Sequence, residues 1–550
     1  MSEKVKPLIG IDLGTSTSII TAFEDGGVKS FVDSSAAVST PIIPSVVAFD
    51  PTNNEIAVGE FAENFPDCIR EAKRQMGTEE TCTTGGKTYK PEEVGAFVLK
   101  YLKSIAEQEL GEEIKDVMLT VPAIFNDKAR NATMVAGQIA KLNIVQLINE
   151  PVAAMLYYVH LFQDKWEDSD KVLLVFDFGG GTLDITVGVK IGSMLNILCS
   201  YGDHQLGGKD VDEMFMWYML KKFKEENPKA KVPTFDELIY NQKSLLKRQV
   251  IFAKKQLSKN KSAKLFVAAL GTNNGTPIDL DMNIQKEDFE KNVLCAKHPN
   301  GGPSIIERIT KCLKEMFTQY SDKIKKENID YVLMVGGFSY IPLVQERVLQ
   351  ILNKSKEELF CKDPDLAVSR GAAVFAVMNH LGDSDDLDKE AEAYGVKKEY
   401  ITETLPVSPY GIGTDVRIDG SDDLYYDEWV APQQEIPFSG EFRYRLITPT
   451  QKALSMLIFQ SIQPCRENER RPISQVDNTN ISNSIRGIPP ASGEPHEVVA
   501  EVSYDKNGLL KAVVTIPSTG QQMVLEFIAK PAASKASQKR IDSEKMRGSN

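Results

Sequence analysis

Histidine and cysteine are scarce in this chain, five and seven among 550 residues. The histidines are scattered, which disfavours a histidine-based metal centre. The cysteines (Cys68, Cys82, Cys199, Cys295, Cys312, Cys361 and Cys465) are odd in number, widely spread and without C-x-x-C spacing. That pattern argues against a disulfide or zinc framework and predicts buried thiols in a reducing, cytoplasmic setting. No run approaches 18 apolar residues, and no basic N-terminal segment precedes an apolar stretch of signal-peptide length, so no membrane partner or leader is expected. Positive charge is outweighed as well. Lys and Arg number 64 against 77 Asp and Glu, a formal net charge of −13, which argues against a nucleic-acid partner.

What the chain does have is a run of three glycines where glycine is least favoured. "VFDFGGGTLDITV" (175–187) is otherwise strand-forming, and glycine in a strand loses backbone entropy and gives nothing to pack. Two readings fit. The glycines could form a tight hairpin turn, or let the backbone approach an anion whose counter-cation Asp177 would hold. The stretch fits neither a Walker loop nor a dinucleotide fingerprint. A second stretch, "LIGIDLGTSTSIITAF" (8–23), has the same layout: an apolar strand to Asp12, a Gly14-Thr15-Ser16 turn, and a strand leading away. The two aspartates stand 165 positions apart. Such a repeat predicts a duplicated α/β domain whose halves close on one phosphate-bearing ligand.

The chain resembles the DnaK-type heat-shock chaperones, the heat shock protein 70 family of the actin-like ATPase superfold. Besides the two turns, the resemblance rests on "REAKRQMG" (70–77), "VMLTVPAIFNDKAR" (117–130), "INEPVAAMLYY" (148–158), "LGGKDVDEMF" (206–215), "VLMVGGFSYIPLVQERV" (332–348) and "DPDLAVSRGAAVFA" (363–376), in the family's order. It implies ATP and ADP as ligands, Mg²⁺ as cofactor, and water attack on the γ-phosphate. Asp12 and Asp177 would hold hydrated Mg²⁺, with Asp184 beside K⁺ as the monovalent ion. Gly14, Thr15, Ser16, Gly179, Gly180 and Gly181 would cradle phosphates, and Thr182 would donate to the γ-phosphate. Lys73 takes the place of the catalytic lysine and Glu150 orders water near the metal, with Pro151 holding Glu150 extended. Gly207, Gly208, Lys254, Lys255, Ser258, Gly336, Gly337 and Asp365 fall on the adenosine side.

Some positions depart from the family pattern. Ile251 replaces a glutamate that bonds the ribose, while Phe338 and Tyr340 replace a serine and an adenine-stacking arginine. A tyrosine can stack on a base as well as a guanidinium can. Gln146 stands where an arginine usually faces a J-domain co-chaperone. Pro122, Asp127 and Arg130, which match residues that relay the nucleotide state, are retained.

The expected organisation is an ATPase domain over 1–382, with a nucleotide cleft between two lobes, and a charged linker over 383–404. An all-β sandwich over 405–530 follows, for extended or unfolded apolar peptides, with a hairpin at Lys506-Asn507-Gly508 and a mobile polar loop over 464–487. Residues 211–257 have helical spacing. Residues 531–550 are expected to be a short polar tail with no helical lid. The resemblance makes the chain an ATP-dependent chaperone, with a J-domain protein and a nucleotide-exchange factor as further partners. A degenerate, nucleotide-holding regulator is the alternative. A sugar or acetate kinase of the same superfold is disfavoured, because neither "INEPVAA" nor the C-terminal β region belongs to those kinases.

Overall fold

The computed structural model describes residues 6–36, 39–166, 169–192, 194–203, 205–382, 384–396, 403–405, 407–408, 410–417, 424–432, 434–461, 477–526 and 531–547. Two sheets with the same strand order organise the described residues up to 382. One runs Asn143–Asn149, Asp116–Val121, Leu8–Leu13, Thr17–Glu24, Gly27–Ser30; the other runs Leu359–Phe360, Tyr331–Val335, Lys171–Phe178, Leu183–Ile191, Met194–Asp203. In both, the strand that carries the aspartate one residue before its end is antiparallel to its hairpin partner and parallel to the neighbour on its other side. This shared topology is the duplication expected from the two turns.

Strands covered on both faces read as unbroken apolar runs, and Leu173 to Phe176 are fully buried. Helices Glu150–Leu161 and Ala367–Gly382 contribute to a core shared with strands of both sheets. Two glycines permit that packing: a Cβ on Gly371 would overlap the Ala153 backbone, and one on Gly10 would overlap Ala372 and Ala373. The helical stretch expected over 211–257 is two helices, Gly208–Glu226 and Tyr240–Leu257. Pro228 follows closely on the first and disfavours helix in the residue before it.

Two four-stranded antiparallel sheets enclose a second core, which includes Ile412, Trp429, Ile458, Val498, Ala512 and Leu525. The Asn507-Gly508 hairpin forms as expected, with Gly508 at φ 72°. The 464–487 loop is corrected in part: Asp477–Arg486 is a strand paired with Ala453–Ser461, and 464–476 lie outside the described residues. The linker also carries structure. Leu387–Ala393 is a short helix, and Glu403–Leu405 pairs in parallel with Met194–Asp203 at the edge of the second sheet.

The β region rests on the first lobe. The Tyr504 hydroxyl and the Gln460 amide donate to Asp127 Oδ1 at 3.2 and 3.1 Å. Arg130 donates to the Asn507 carbonyl at 3.3 Å, the Leu147 amide donates to Asn507 Oδ1 at 2.9 Å, and the Tyr410 hydroxyl donates to the Ile124 carbonyl. Gln146, next to Leu147 in the chain, is buried and accepts from Asn379 at 3.3 Å.

The expectation for the C-terminal residues needs correction. Pro531–Ser543 is a helix, and Lys545–Met546 adds in parallel to Glu55–Val58 of the first lobe. Ile541, 1 % exposed, joins the first lobe's core. Arg540 pairs with the buried Glu93, Lys100 with Asp542 at 2.8 Å, and Lys87 with Glu544 at 2.8 Å. A segment this polar folds because its few apolar and charged groups find partners on another part of the chain, which local propensity cannot report.

Candidate functional site

Asp12 and Asp177 lie near the ends of the two central strands, so the duplication carries both carboxylates to one cavity between the lobes. Its lining includes Asp12, Gly14, Thr15, Ser16, Lys73, Glu150, Asp177, Gly179, Gly180, Gly181, Thr182, Gly336, Gly337 and Asp365. Asp184 sits directly across the hairpin from Asp177 and is buried. Like charges directly opposed on a sheet are destabilising, so the pair is costly unless a ligand uses it.

The three glycines are explained by crowding. None of them has a positive φ, so left-handed backbone is not the reason. A Cβ on Gly180 would overlap the Ser16 hydroxyl, and one on Gly181 would meet the Arg74 guanidinium and Thr15 Cγ2. The two turns therefore meet face to face across the cleft. Backbone bonds from Gly208 N to Gly179 O and from Lys209 N to Gly180 O, each 3.0 Å, tie the second turn to the start of the Gly208–Glu226 helix. The stretch is thus a hairpin turn that also lines the cavity.

Lys73 comes from the short 3-10 turn Ala72–Gln75 and is 7 % exposed. Its ammonium donates to Glu150 Oε1. Glu150 opens the helix Glu150–Leu161 and Pro151 falls in its first turn. This differs from the extended geometry expected for Glu150; proline in the first turn gives up only an N–H that has no helical partner anyway. Thr120 donates to Asp12 Oδ1 at 2.8 Å.

The electrostatics are one-sided. Burial, then repulsion from Glu150, pushes the Asp12 carboxyl up to about 6. The same two causes push Asp184 to about 7. Asp177 is raised well above its ordinary value by burial, then by Glu150, Asp184 and Asp12. Lys73 is the cation that opposes these shifts. Four carboxylates around one ammonium are short of positive charge, and a divalent cation fits that donor set. Among the described residues, no three Asp, Glu, His or Cys side chains converge tightly enough to hold a metal ion by themselves.

Not every expected residue reaches the cavity. Gly207 and Gly208 stand behind Gly181 and Gly179. Lys254 pairs with Asp212 inside the second lobe, and the Ser258 hydroxyl donates to the Lys254 carbonyl at 3.0 Å. Lys255 is exposed, and it acts with Lys259 on the Asp365 carboxyl, whose pKa burial raises. Tyr340 is half-buried, and after burial the Asp365 charge has the largest effect on its phenol. Sequence reasoning missed Arg74, which donates to the Gly181 carbonyl, as well as Thr120 and Asp212. Adjacency to Lys73 was the available signal for Arg74; the other two had none outside the fold.

A duplicated α/β domain whose paired aspartate–glycine turns close on one cleft defines the actin-like class, here followed by a β-sandwich. The family model described as Hsp70 protein matches residues 8–81 and 73–548. A chaperone protein DnaK of Mycoplasmopsis pulmonis is 36% identical over 371 residues, covering 67% of this chain and 57% of that protein. One from Metamycoplasma hominis is 30% identical over 523 residues, covering 94% of this chain and 78% of its own length. The chain belongs to the Hsp70 protein family. The match to the Mycoplasmopsis pulmonis relative spans somewhat more than half of that protein's length.

Proposed function

We propose that the chain is an ATP-dependent molecular chaperone working in the cytoplasm. Its ATPase domain spans 1–382 and, through the 383–404 segment, sets how the 405–530 sandwich binds extended apolar peptides. The observation that carries this reading is the meeting of the two glycine turns on a cavity rich in carboxylates, with Lys73 and Glu150 paired at its wall. Phosphoryl transfer asks the protein mainly for positioning and charge neutralisation. The two turns present backbone N–H groups to the phosphates, and Thr182 donates to the γ-phosphate. Lys73 stabilises charge on the transferred group, and Glu150, held by Lys73, orients the attacking water. Asp12 and Asp177 would hold Mg²⁺, which supplies charge neutralisation on the phosphates; Asp184 would hold K⁺. Tyr340 stacks on adenine at the far end, near Asp365 and Lys255.

The sandwich would take peptide by backbone hydrogen bonds and apolar pockets. The C-terminal helix packs on the first lobe, so peptide exchange should be rapid. A J-domain protein and a nucleotide-exchange factor are the co-chaperones in this reading. The test is phosphate release from MgATP by the full chain, with and without an apolar peptide. Slow hydrolysis stimulated by peptide is expected. ATP binding without hydrolysis would favour the regulator reading instead.

A further inference from the structure

A second cavity, of about 480 Å³, stands behind the second glycine turn, and its polar lining includes Arg74, Lys209, Asp210, Glu213, His298 and Arg308. Between it and the cleft stand the turn and one side chain. Gly180 and Gly181 line the cleft, Arg74 lines the second cavity, and the Arg74 guanidinium donates to the Gly181 carbonyl. The contact is so close that a Cβ on Gly181 would lie 2.8 Å from Arg74 Nε. Neighbours in sequence thus serve different spaces, Lys73 the cleft and Arg74 the cavity behind it.

Few bonds hold Arg74 there. Besides the Gly181 carbonyl it has Glu71 at 3.7 Å, and its Nε is buried without a hydrogen-bond partner among the described residues. A buried donor left unpaired is costly, and an anion would satisfy it. Glu71 also pairs with Lys209 of the second lobe at 3.3 Å, and its backbone sits in the left-handed region at φ 58°. Non-glycine residues held in such strained backbone cluster at switches and ligand clamps. The arginine keeps 22 % of its side chain in solvent, so it has space to turn away. Beyond it the cavity suits an anion. Burial raises the Asp210 carboxyl, and the Gly207 amide, then Arg308, Lys209 and Arg74, oppose the rise, so three cations converge on it. Arg308 is fixed by Asp203 at 2.7 Å. The Asn300 amide donates to His298 Nδ1 at 3.2 Å, which leaves the ring's other nitrogen as a donor.

We infer that inorganic phosphate cleaved in the cleft leaves through this second cavity, with Arg74 as the gate. The inference rests on the nucleotide reading proposed above and adds the product's way out. A phosphate freed beside Lys73 and Gly181 either waits until the nucleoside diphosphate has left or passes the second turn. Passing the turn requires one side chain to move. As Arg74 gives up the Gly181 carbonyl its guanidinium turns to the anion, and Lys209, His298 and Arg308 take the anion up in the cavity. Glu71 sets the resting state, because it holds Arg74 of the first lobe and Lys209 of the second at once.

A single turnover of MgATP by the full chain tests the inference. Cleavage is read by acid quench, free phosphate by a fluorescent phosphate sensor, and departure of the diphosphate by the fluorescence of a labelled nucleotide. In the parent, free phosphate is expected to lag behind cleavage and to precede ADP. Arg74→Ala should shorten the lag at least about threefold, and Ala296→Trp, which fills the cavity from the loop 295–303, should lengthen it by as much. Loss of a merely structural arginine would alter cleavage and leave the lag as it was. Release of phosphate together with ADP, the absence of a lag, or a lag that either variant leaves unchanged overturns the inference and leaves the nucleotide reading standing. Failure of the parent to cleave MgATP overturns both.

Discussion

Charge is gathered at two places, the cleft between the lobes and the outer edge of the first lobe, and is treated in opposite ways. In the cleft, Asp12, Glu150, Asp177 and Asp184 gather around Lys73, and the pKa values of the three aspartates rise through burial first and then through repulsion from Glu150, which Lys73 only partly opposes. On the outer edge, where the C-terminal segment docks, each charge meets its opposite: Arg540 with Glu93, Lys87 with Glu544, and both Lys100 and Lys141 with Asp542 at 2.8 and 3.1 Å. Asp542 is accordingly held below the ordinary carboxylate range, with hydrogen bonds from Lys100, Gln538 and Lys141 outweighing its burial. An unbalanced cluster is a site that needs a ligand to complete it. A balanced one is a finished interface. Variants at the edge should therefore cost stability and spare turnover, and variants in the cleft should do the reverse.

The largest effect is expected at the edge. Ile541 is buried in the lobe's core, and Ile541→Ala should loosen the docked segment by about 2–4 kcal/mol. Hydrogen exchange along Glu55–Val58, the strand that pairs with Lys545–Met546, reads this directly. Unchanged protection there would mean that the segment is not structurally engaged. MgATP turnover should stay near that of the parent.

In the cleft, Lys73→Ala should lower turnover by more than about tenfold, at least 1.4 kcal/mol of barrier, and nearer hundredfold if Lys73 acts like other groups aimed at transition-state charge. Nucleotide affinity should change little. Single-turnover cleavage of MgATP at the parent's rate would remove Lys73 from its proposed role.

A smaller effect belongs to the base. Burial, then Asp365, holds the Tyr340 phenol up at about 12, so the ring is neutral throughout the physiological range. Tyr340→Ala should weaken ATP binding by about 1–3 kcal/mol, and Tyr340→Arg should largely restore it. Equal affinity of the Ala variant and the parent would exclude stacking.

How much of this was legible in the sequence follows the same division. The glycine turns and their aspartates were readable because each is written in five or six consecutive residues, and the repeat of one turn predicted the duplicated sheet. Lys73 and Glu150 were readable only through the motifs around them; a lone lysine in a polar stretch is ordinarily a solvated group. The packing of Phe338 on both Gly208 and the Lys254 ammonium was not readable, since it joins three segments far apart in the chain. The tail was missed for the same reason. One isoleucine among serines, lysines and alanines carries no local signal, and its role exists only against the first lobe.

The smallest effect concerns the contact between the β region and the first lobe, and it is the one that pH should move. Asp127 is fully buried there and accepts from Tyr504 and Gln460. Burial raises its carboxyl to about 7, against Arg130 and those hydrogen bonds, which pull the other way. Released to water, the same group would return towards its ordinary value of 3.8. Docking therefore favours the protonated form: its contribution is fullest at low pH and is lost as pH rises through about 7. By linkage, between pH 8 and pH 6 the docked arrangement should gain about 1.4 kcal/mol, roughly tenfold in its equilibrium. Hydrogen exchange of the strands Glu497–Tyr504 and Leu510–Ile516 should report better protection at the lower pH after correction for intrinsic rates. Asp127→Asn, which keeps the shape and cannot ionise, should flatten the dependence. If protection instead falls on acidification, or if the Asn variant keeps the parent's pH profile, Asp127 is not the titrating group at this contact.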